Sequence, residues 1–407
     1  MILDLMELSG KNLFRRGKRS WLTVIGIVIG ITAIVTLFSL GQGLEDSVTQ
    51  QFEDLGANVI YVLPGSGIGG LIGGGPDQAG AALGDDDLAA VKDSRGVSIA
   101  GPVVYAQTSG EFQGEQQRIP LLGISTDESQ ELVMRANALE VETGRNIRDL
   151  DRFSGLAGYS LNQGTVYENN VGLRSQITIR ENKIRVVGIM EESGDPEVDR
   201  SIVMPIESVR TILDEEDRID YILAEPSSGI SPEEASENIE ESLRRERNIQ
   251  EGEEDFTVST ADDILESFQG ILDVVQYVIL GIVSIALFVG GLGIMNTMYM
   301  SVSERTKEIG IMKAMGATKK QILTIYLIES GVLGLIGGFI GIGIGLGLTE
   351  LSFFLIREFV GTPLYPSFSL GLIGGTLTVS FFLGVFSGFL PARKAAKLEP
   401  VEAIRKK

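Results

Sequence analysis

Val274–Met300 reads VVQYVILGIVSIALFVGGLGIMNTMYM, with no Asp, Glu, Lys or Arg, and residues 301–321 follow with SVSERTKEIGIMKAMGATKKQ, which hold five Lys and Arg. A helix over the first stretch would be roughly 40 Å long, enough to cross ~30 Å of bilayer hydrocarbon. The second stretch would land it on a basic, water-facing side. Three more runs match: Trp21–Leu40, Ile322–Leu348 (broken only by Glu329) and Leu370–Leu390. Core helices of soluble proteins rarely run this long without charge, so four transmembrane helices are expected.

Lysine and arginine in the short flanks set the orientation. Residues 1–20 hold five, 301–321 five and 391–407 six, whereas 349–369 hold only Arg357. Both termini and 301–321 are expected in the cytoplasm, 349–369 as a short extracellular loop, and 41–272 as a large extracellular domain between helices one and two. The chain is then a multi-pass protein of the plasma membrane. Trp21–Leu40 is longer than a signal-peptide core and no clear A-x-A site follows, so it reads as an uncleaved anchor.

Composition narrows the function. The 407 residues include no Cys and no His. That removes disulfides, thiolate catalysis, His–metal sites and a Ser–His–Asp triad. No acid–base constellation stands out, so neither catalysis nor a bound metal or cofactor is expected of this chain. The net charge of −21 is uneven: residues 41–272 carry 17 Lys and Arg against 45 Asp and Glu. So acidic a domain excludes nucleic acid as its partner. Its only lysines are Lys92 and Lys183. Heavy acid with little lysine points to a halophile, because salt makes self-repulsion tolerable.

The extracellular domain reads as α/β. Asn58–Leu63, Ser98–Tyr105 and Arg118–Ile124 are strand-like, and Gln176–Ile179 with Lys183–Met190 flank Arg180-Glu181-Asn182 as a hairpin would. Asp85-Asp86-Asp87 opens one helix and Pro232–Arg247 forms another, each with acid at the positive end of its dipole. Gly65–Gly84 reads as a flexible glycine-rich loop. Its Gly65-x-Gly67-x-x-Gly70 matches a dinucleotide fingerprint by letters only, without a second βαβ element. A phosphate-binding GxxxxGK[ST] is absent from the whole chain. The runs Asp214–Asp217, Glu233-Glu234 and Glu253–Asp255 lack a calcium-loop spacing and read as solvated surface.

The membrane-proximal segments carry further patterns. Ile2, Leu5, Met6 and Leu13 put an amphipathic, interfacial helix over Met1–Ser20. Within 301–321, Ile309, Met312 and Met315 can form one apolar stripe, with Glu304 and Lys307 on another side. A mere connector needs no such stripe; a partner could press on it, or it could lie on lipid. In the third span Gly331, Gly334, Gly337, Gly338, Gly341 and Gly345 let another helix approach closely, as a packing or dimer face. Glu329 is the one charge inside a span, costing roughly 3 kcal/mol at mid-bilayer. It reads as a helix-packing or snorkelling carboxylate, with a proton or cation relay as the sharper alternative.

Three stretches resemble the MacB-like (FtsX-like) permease subunits of ABC transporters: Arg19–Gly30 (RSWLTVIGIVIG), Glu304–Ala317 (ERTKEIGIMKAMGA) and Pro391–Arg405 (PARKAAKLEPVEAIR). Glu329 falls where that family commonly has an acid, and the order of one span, a large outer domain and three spans also fits. The resemblance implies a homodimer that binds two copies of a separate ABC ATPase subunit, which would carry ATP and Mg. It implies that Glu304, Arg305, Lys307, Glu308, Ile309, Gly310, Ile311, Lys313, Ala314 and Gly316 couple that ATPase to the extracellular domain. The work done would be export or mechanotransmission onto an extracellular partner or substrate protein. Two rival readings are a regulatory module that activates an extracellular enzyme without moving solute, and a membrane-anchored binding protein with no ATPase.

Overall fold

The computed structural model describes residues 18–55, 58–65, 82–360 and 366–405. The helix expected over Met1–Ser20 and the loop expected over Gly65–Gly84 fall almost wholly outside them. The chain divides near Asp46 and near Gly270 into two compact units, one built of long apolar helices and one inserted between the first and second of these. The first helix, α1 (Lys18–Leu55), does not end where its apolar run ends at Leu40. Hydropathy marks only the hydrocarbon-length part of a helix, and no proline interrupts residues 41–55.

The inserted unit contains β1 (Ile60–Pro64), α2 (Asp85–Lys92), β2 (Val97–Phe112), β3 (Glu115–Ile124), α3 (Gln130–Ala136), β4 (Val141–Gly144), β5 (Ser154–Ala157), α4 (Tyr159–Asn162) and β6 (Gln176–Ile179). It continues with β7 (Asn182–Met190), α5 (Pro196–Asp199), β8 (Ile202–Pro205), α6 (Ile206–Leu213), β9 (Tyr221–Pro226), α7 (Pro232–Arg247) and β10 (Phe256–Thr260). The strands form one mixed sheet in the order β10-β1-β9-β2-β3-β8-β5-β7-β4, with β6 beside β2 and β7. The β3–β8 and β5–β7 pairs are parallel. Two-residue turns close both long hairpins: Gln113-Gly114 and Arg180-Glu181 all have positive φ, as the twist of such turns requires. Asn182, expected in the turn, is instead the first residue of β7, paired with Ile179.

Alternation assigns the two faces of the sheet. Leu121, Ile202, Met204, Ile222 and Ala224 point to one side; Leu122, Val203 and Leu223 point to the other. On the first side α2 and α7 bring Val91, Ile239 and Leu243, and α6 brings Val209 and Ile212. On the second, α3 brings Leu132 and Val133. Helix starts follow the expected chemistry. Ser231 accepts from the Glu234 N–H at 3.2 Å, and the Gly84 N–H donates to Asp87 at 2.9 Å.

The acid runs lie at the surface, with Asp214 to Asp217, Glu233, Glu234 and Glu253 all exposed, and several of their carboxylates also make contacts within the unit. Asp217 accepts from the Asp85 N–H at 3.0 Å, Glu215 pairs with Arg218 at 2.9 Å, and Asp255 pairs with Arg247 at 2.8 Å. Arg145 grips both oxygens of Asp151 and holds that carboxyl below the usual range. Burial pushes the Tyr61, Tyr105 and Tyr167 hydroxyls up to about 12.

The helical unit continues with α8 (Ala261–Glu304), α9 (Thr306–Ala314), α10 (Lys319–Val360), α11 (Leu370–Lys397) and α12 (Pro400–Arg405). With α1, the helices α8, α10 and α11 are the four long and apolar enough to cross a membrane. α10 runs twelve residues past the expected end of its span at Leu348, so part of the expected 349–369 loop is helix. α11 likewise continues through the buried Pro391. Small residues set the spacing. A Cβ on Gly26 would lie 2.9 Å from the Gly290 Cα, which is why α1 and α8 can touch backbone to backbone. Thr32 donates to the Gly341 carbonyl at 3.0 Å and Thr36 to that of Gly345 at 3.2 Å, tying α1 to α10. Ser380 of α11 donates to the Gly334 carbonyl of α10.

Candidate functional site

The segment between α8 and α10 is rigidly shaped by its own sequence. α8 stops at Glu304, Arg305 leaves the helical register, and α9 follows. Gly316 has φ +103°, the Gly316 N–H donates to the Lys313 carbonyl, and the Ala317 N–H donates to that of Met312. That pair of bonds is a Schellman stop, so Gly316, itself exposed, ends the helix. The Thr318 N–H then donates to the Gln321 side chain at 2.9 Å while the Gln321 N–H donates back to the Thr318 hydroxyl at 3.3 Å, a capping box that starts α10.

α9 has two distinct sides. Lys307, Glu308, Ile311, Ala314 and Met315 are exposed, and so is Glu304 just before them. Thr306, Ile309, Gly310 and Lys313 face inward. Each set follows the three-and-four spacing of one helical face. The expected stripe of Ile309, Met312 and Met315 is therefore split. At 100° per residue Ile309 and Met315 stand about 120° apart. Ile309 is fully buried in the core that includes Val302, Ile322 and Ala395, whereas Met315 is 76% exposed. The face open to a partner is mixed charge and apolar, and the apolar Ile309 is already covered by this chain.

Two charged contacts fasten the inner side. Arg305 lies 3.6 Å from Glu329, whose side chain is 15% exposed. Glu329 thus has a cation partner inside the helical unit, which accounts for its tolerance there as a packing carboxylate. The Lys313 ammonium donates to the Ala396 carbonyl at 3.0 Å and to that of Leu398, at the end of α11. α12 lies along α9. Beside them Lys394 sits 5.4 Å from the centre of the Tyr299 ring, in a cavity of about 390 Å³ that also touches Thr306 and Glu402. Neither Arg305–Glu329 nor Lys394–Tyr299 has a sequence signal, because the partners lie 24 and 95 positions apart.

The glycines of α10 serve contacts within this chain. Gly331, Gly334 and Gly338 face Phe381 and Ser380 of α11, and Gly341 and Gly345 face Ile31 and Val35 of α1. Gly337 is buried as well. The dimer-face alternative for that stripe is thereby displaced: other helices of the same chain occupy it. Gly343 and Gly347 meet nothing within 4 Å. Among the described residues no group of three or more Asp and Glu is arranged to hold a metal ion.

Comparison with known proteins places this architecture. Residues 20–242 match the family model of the MacB-like periplasmic core domain, and residues 280–400 match that of the FtsX-like permease C-terminal domain. The ABC transporter permease MJ1507 of Methanocaldococcus jannaschii is 33% identical over 402 residues, covering 99% of this chain and 98% of that protein. The macrolide export ATP-binding/permease protein MacB 2 of Aeromonas hydrophila is 29% identical over 95% of this chain. This chain spans 58% of that protein's length. The crystal structure of the periplasmic region of MacB from Actinobacillus actinomycetemcomitans covers 55% of this chain with a TM-score of 0.45 and 15% identity. With two family models covering most of its length and a relative matched end to end, this multi-pass membrane chain belongs to the MacB/FtsX-like family of ABC transporter permeases.

Proposed function

We propose that this chain is the membrane subunit of an ABC transporter whose ATPase is a separate polypeptide, and that it carries the ATPase cycle to the inserted unit for export or mechanotransmission. ATP and Mg belong to that ATPase, and two copies of it serve two copies of this chain. The single observation that carries the reading is the outward face of α9. Lys307, Glu308 and Ile311 form an exposed patch of mixed chemistry on a short, rigidly stopped helix. The basic flanks favour the cytoplasm for α9 and both termini, and the outside for the inserted unit. An acidic surface of this kind suits a salty exterior.

For the second copy we favour α8. Val275, Val278, Ile282, Ile285, Val289 and Leu292 follow alternating steps of three and four, and all are exposed in the single chain.

The test is capture. The detergent-solubilised protein is purified from its own membranes in high salt, as wild type and as Glu308→Arg with Ile311→Asp. Co-purification of a P-loop ATPase with the wild type, and its loss from the double variant, supports the reading. Absence of any ATPase even after crosslinking overturns it and favours the membrane-anchored binding protein.

A further inference from the structure

The inner side of α9 is held in two ways that differ in kind. Ile309 is held by apolar burial, which is non-directional and lets a helix slide or roll at small cost. Arg305 holds it by charge, at 3.6 Å from Glu329, and Lys313 by charge-assisted hydrogen bonds, which fix direction as well as position. Arg305 stands just before the first residue of α9 and reaches Glu329, about three turns into α10. Lys313 stands in the last turn of α9 and reaches Ala396 and Leu398, where α11 ends. Those carbonyls are among the orphan acceptors of a helix C-terminus, at the negative end of its dipole, where a cation is best placed. Each end of α9 is therefore tied to a different membrane helix. Between the ties α9 is nine residues long, closed at one end by a Schellman stop and the capping box of α10. Such a segment moves as a body.

We propose that Arg305, with Glu329, and Lys313 are transmission residues: they yoke α9 to α10 and α11, so that force applied to the outward face moves both helices together. Docking and transmission are then separable functions of opposite sides of one helix. This rests on the reading of α9 as the ATPase contact.

The experiment uses the full chain with its captured ATPase in liposomes. It compares wild type with Lys313→Met, Lys313→Arg, Arg305→Glu, Glu329→Arg and the swap of Arg305→Glu with Glu329→Arg. Two quantities are read: the ATPase captured per permease, and the change in ATP hydrolysis per captured ATPase relative to the detached ATPase. Lys313→Met and Arg305→Glu are expected to capture as wild type does while losing at least about five-fold of that change. The swap restores most of it, and Lys313→Arg keeps it. Melting and gel filtration identify any variant that fails to fold; the swap and Lys313→Arg then carry the comparison. Unaltered hydrolysis with normal capture in Lys313→Met and Arg305→Glu overturns the yoke and leaves the docking reading intact. A fall in capture that matches the fall in hydrolysis also overturns it, because the inner side would then be part of docking. No capture by wild type overturns both.

Discussion

Arg247 donates to both oxygens of Asp87 at 2.8 and 2.7 Å, pairs with Asp255 at 2.8 Å and lies 5.8 Å from the centre of the Phe256 ring. Its own proton is held more firmly than usual, first by the Asp87 carboxylate and then by Asp255. The Arg247 and Asp87 side chains are only 12% and 10% exposed. Removing the cation leaves a largely buried carboxylate with the Gly84 N–H as its remaining partner. Arg247→Met should therefore cost about 3 kcal/mol, the lower end for breaking a buried pair. That corresponds to a fall of roughly 6–12 °C in the inserted unit's melting transition, read by calorimetry on the full-length protein. Arg247→Lys keeps one contact and should fall about half as far. The tyrosines make a second case. The Tyr61, Tyr105 and Tyr167 hydroxyls ionise at about 12 when folded against an ordinary 10. Between those values the unfolded chain has lost protons that the folded chain keeps, so the stabilisation is complete below pH 10 and drains away by about pH 12. Alkaline titration should show stability falling across that window, with a shallower slope for Tyr167→Phe. At this scale the sequence reveals a lone charge but not its partner: Glu329 stands out in an apolar run, whereas Arg305 is one of five cations in its loop.

The helices illustrate what periodicity can and cannot decide. Four apolar runs located α1, α8, α10 and α11 within the chain, because crossing hydrocarbon imposes length and an absence of charge. Their ends were not legible, because α1 and α10 extend past Leu40 and Leu348 with no proline to stop them, and α11 extends past Leu390 in spite of Pro391. Hairpins were legible where alternation was strict, as in β6 and β7. The stripe over Ile309, Met312 and Met315 misled because steps of three drift round a helix, and only two of the three residues contribute to one side. The glycines of α10 announced a close neighbour without saying which, and α1 and α11 proved to be that neighbour. For α8 the remaining exposed face makes a direct prediction. The chain has no cysteine of its own, so Ile282→Cys introduces a single thiol at the centre of the proposed seam. Mild oxidation in native membranes should convert most of it to a disulfide-linked dimer, while Phe386→Cys on the exposed side of α11 should remain monomeric. Equal crosslinking at both positions would mean random collision, and the seam would be wrong.

Over the whole molecule the governing quantity is the charge asymmetry. Residues 41–272 carry 45 acids against 17 basic residues, and six of the fifteen arginines there form ion pairs: Arg135 with Glu225, Arg145 with Asp151, Arg210 with Asp85, Arg218 with Asp220, Arg244 with Glu254 and Arg247 with Asp87. Acids outnumber bases by more than two to one, so most carboxylates stay unneutralised however the bases are paired. Glu237 and Glu241 illustrate this, exposed one turn apart on α7, where like charges repel. Added salt acts on two opposed terms. It weakens the ion pairs, but these are short and several are half-buried, so they are screened little. It weakens the longer-range repulsion among exposed acids far more, because the screening length falls from about 30 Å at 0.01 M to about 3 Å at 1 M. The repulsion outnumbers the pairs, so the inserted unit should gain stability with salt. Its melting temperature is expected to rise by several degrees between 0.05 and 1 M NaCl, equally in KCl, and to level off once the screening length is shorter than the spacing between carboxylates. Glu237→Gln with Glu241→Gln should raise the low-salt value and flatten the curve, leaving the high-salt value almost unchanged. A melting temperature that is flat or falls with salt would mean that the arginine pairs outweigh the surplus, and adaptation to a saline exterior would have to be abandoned.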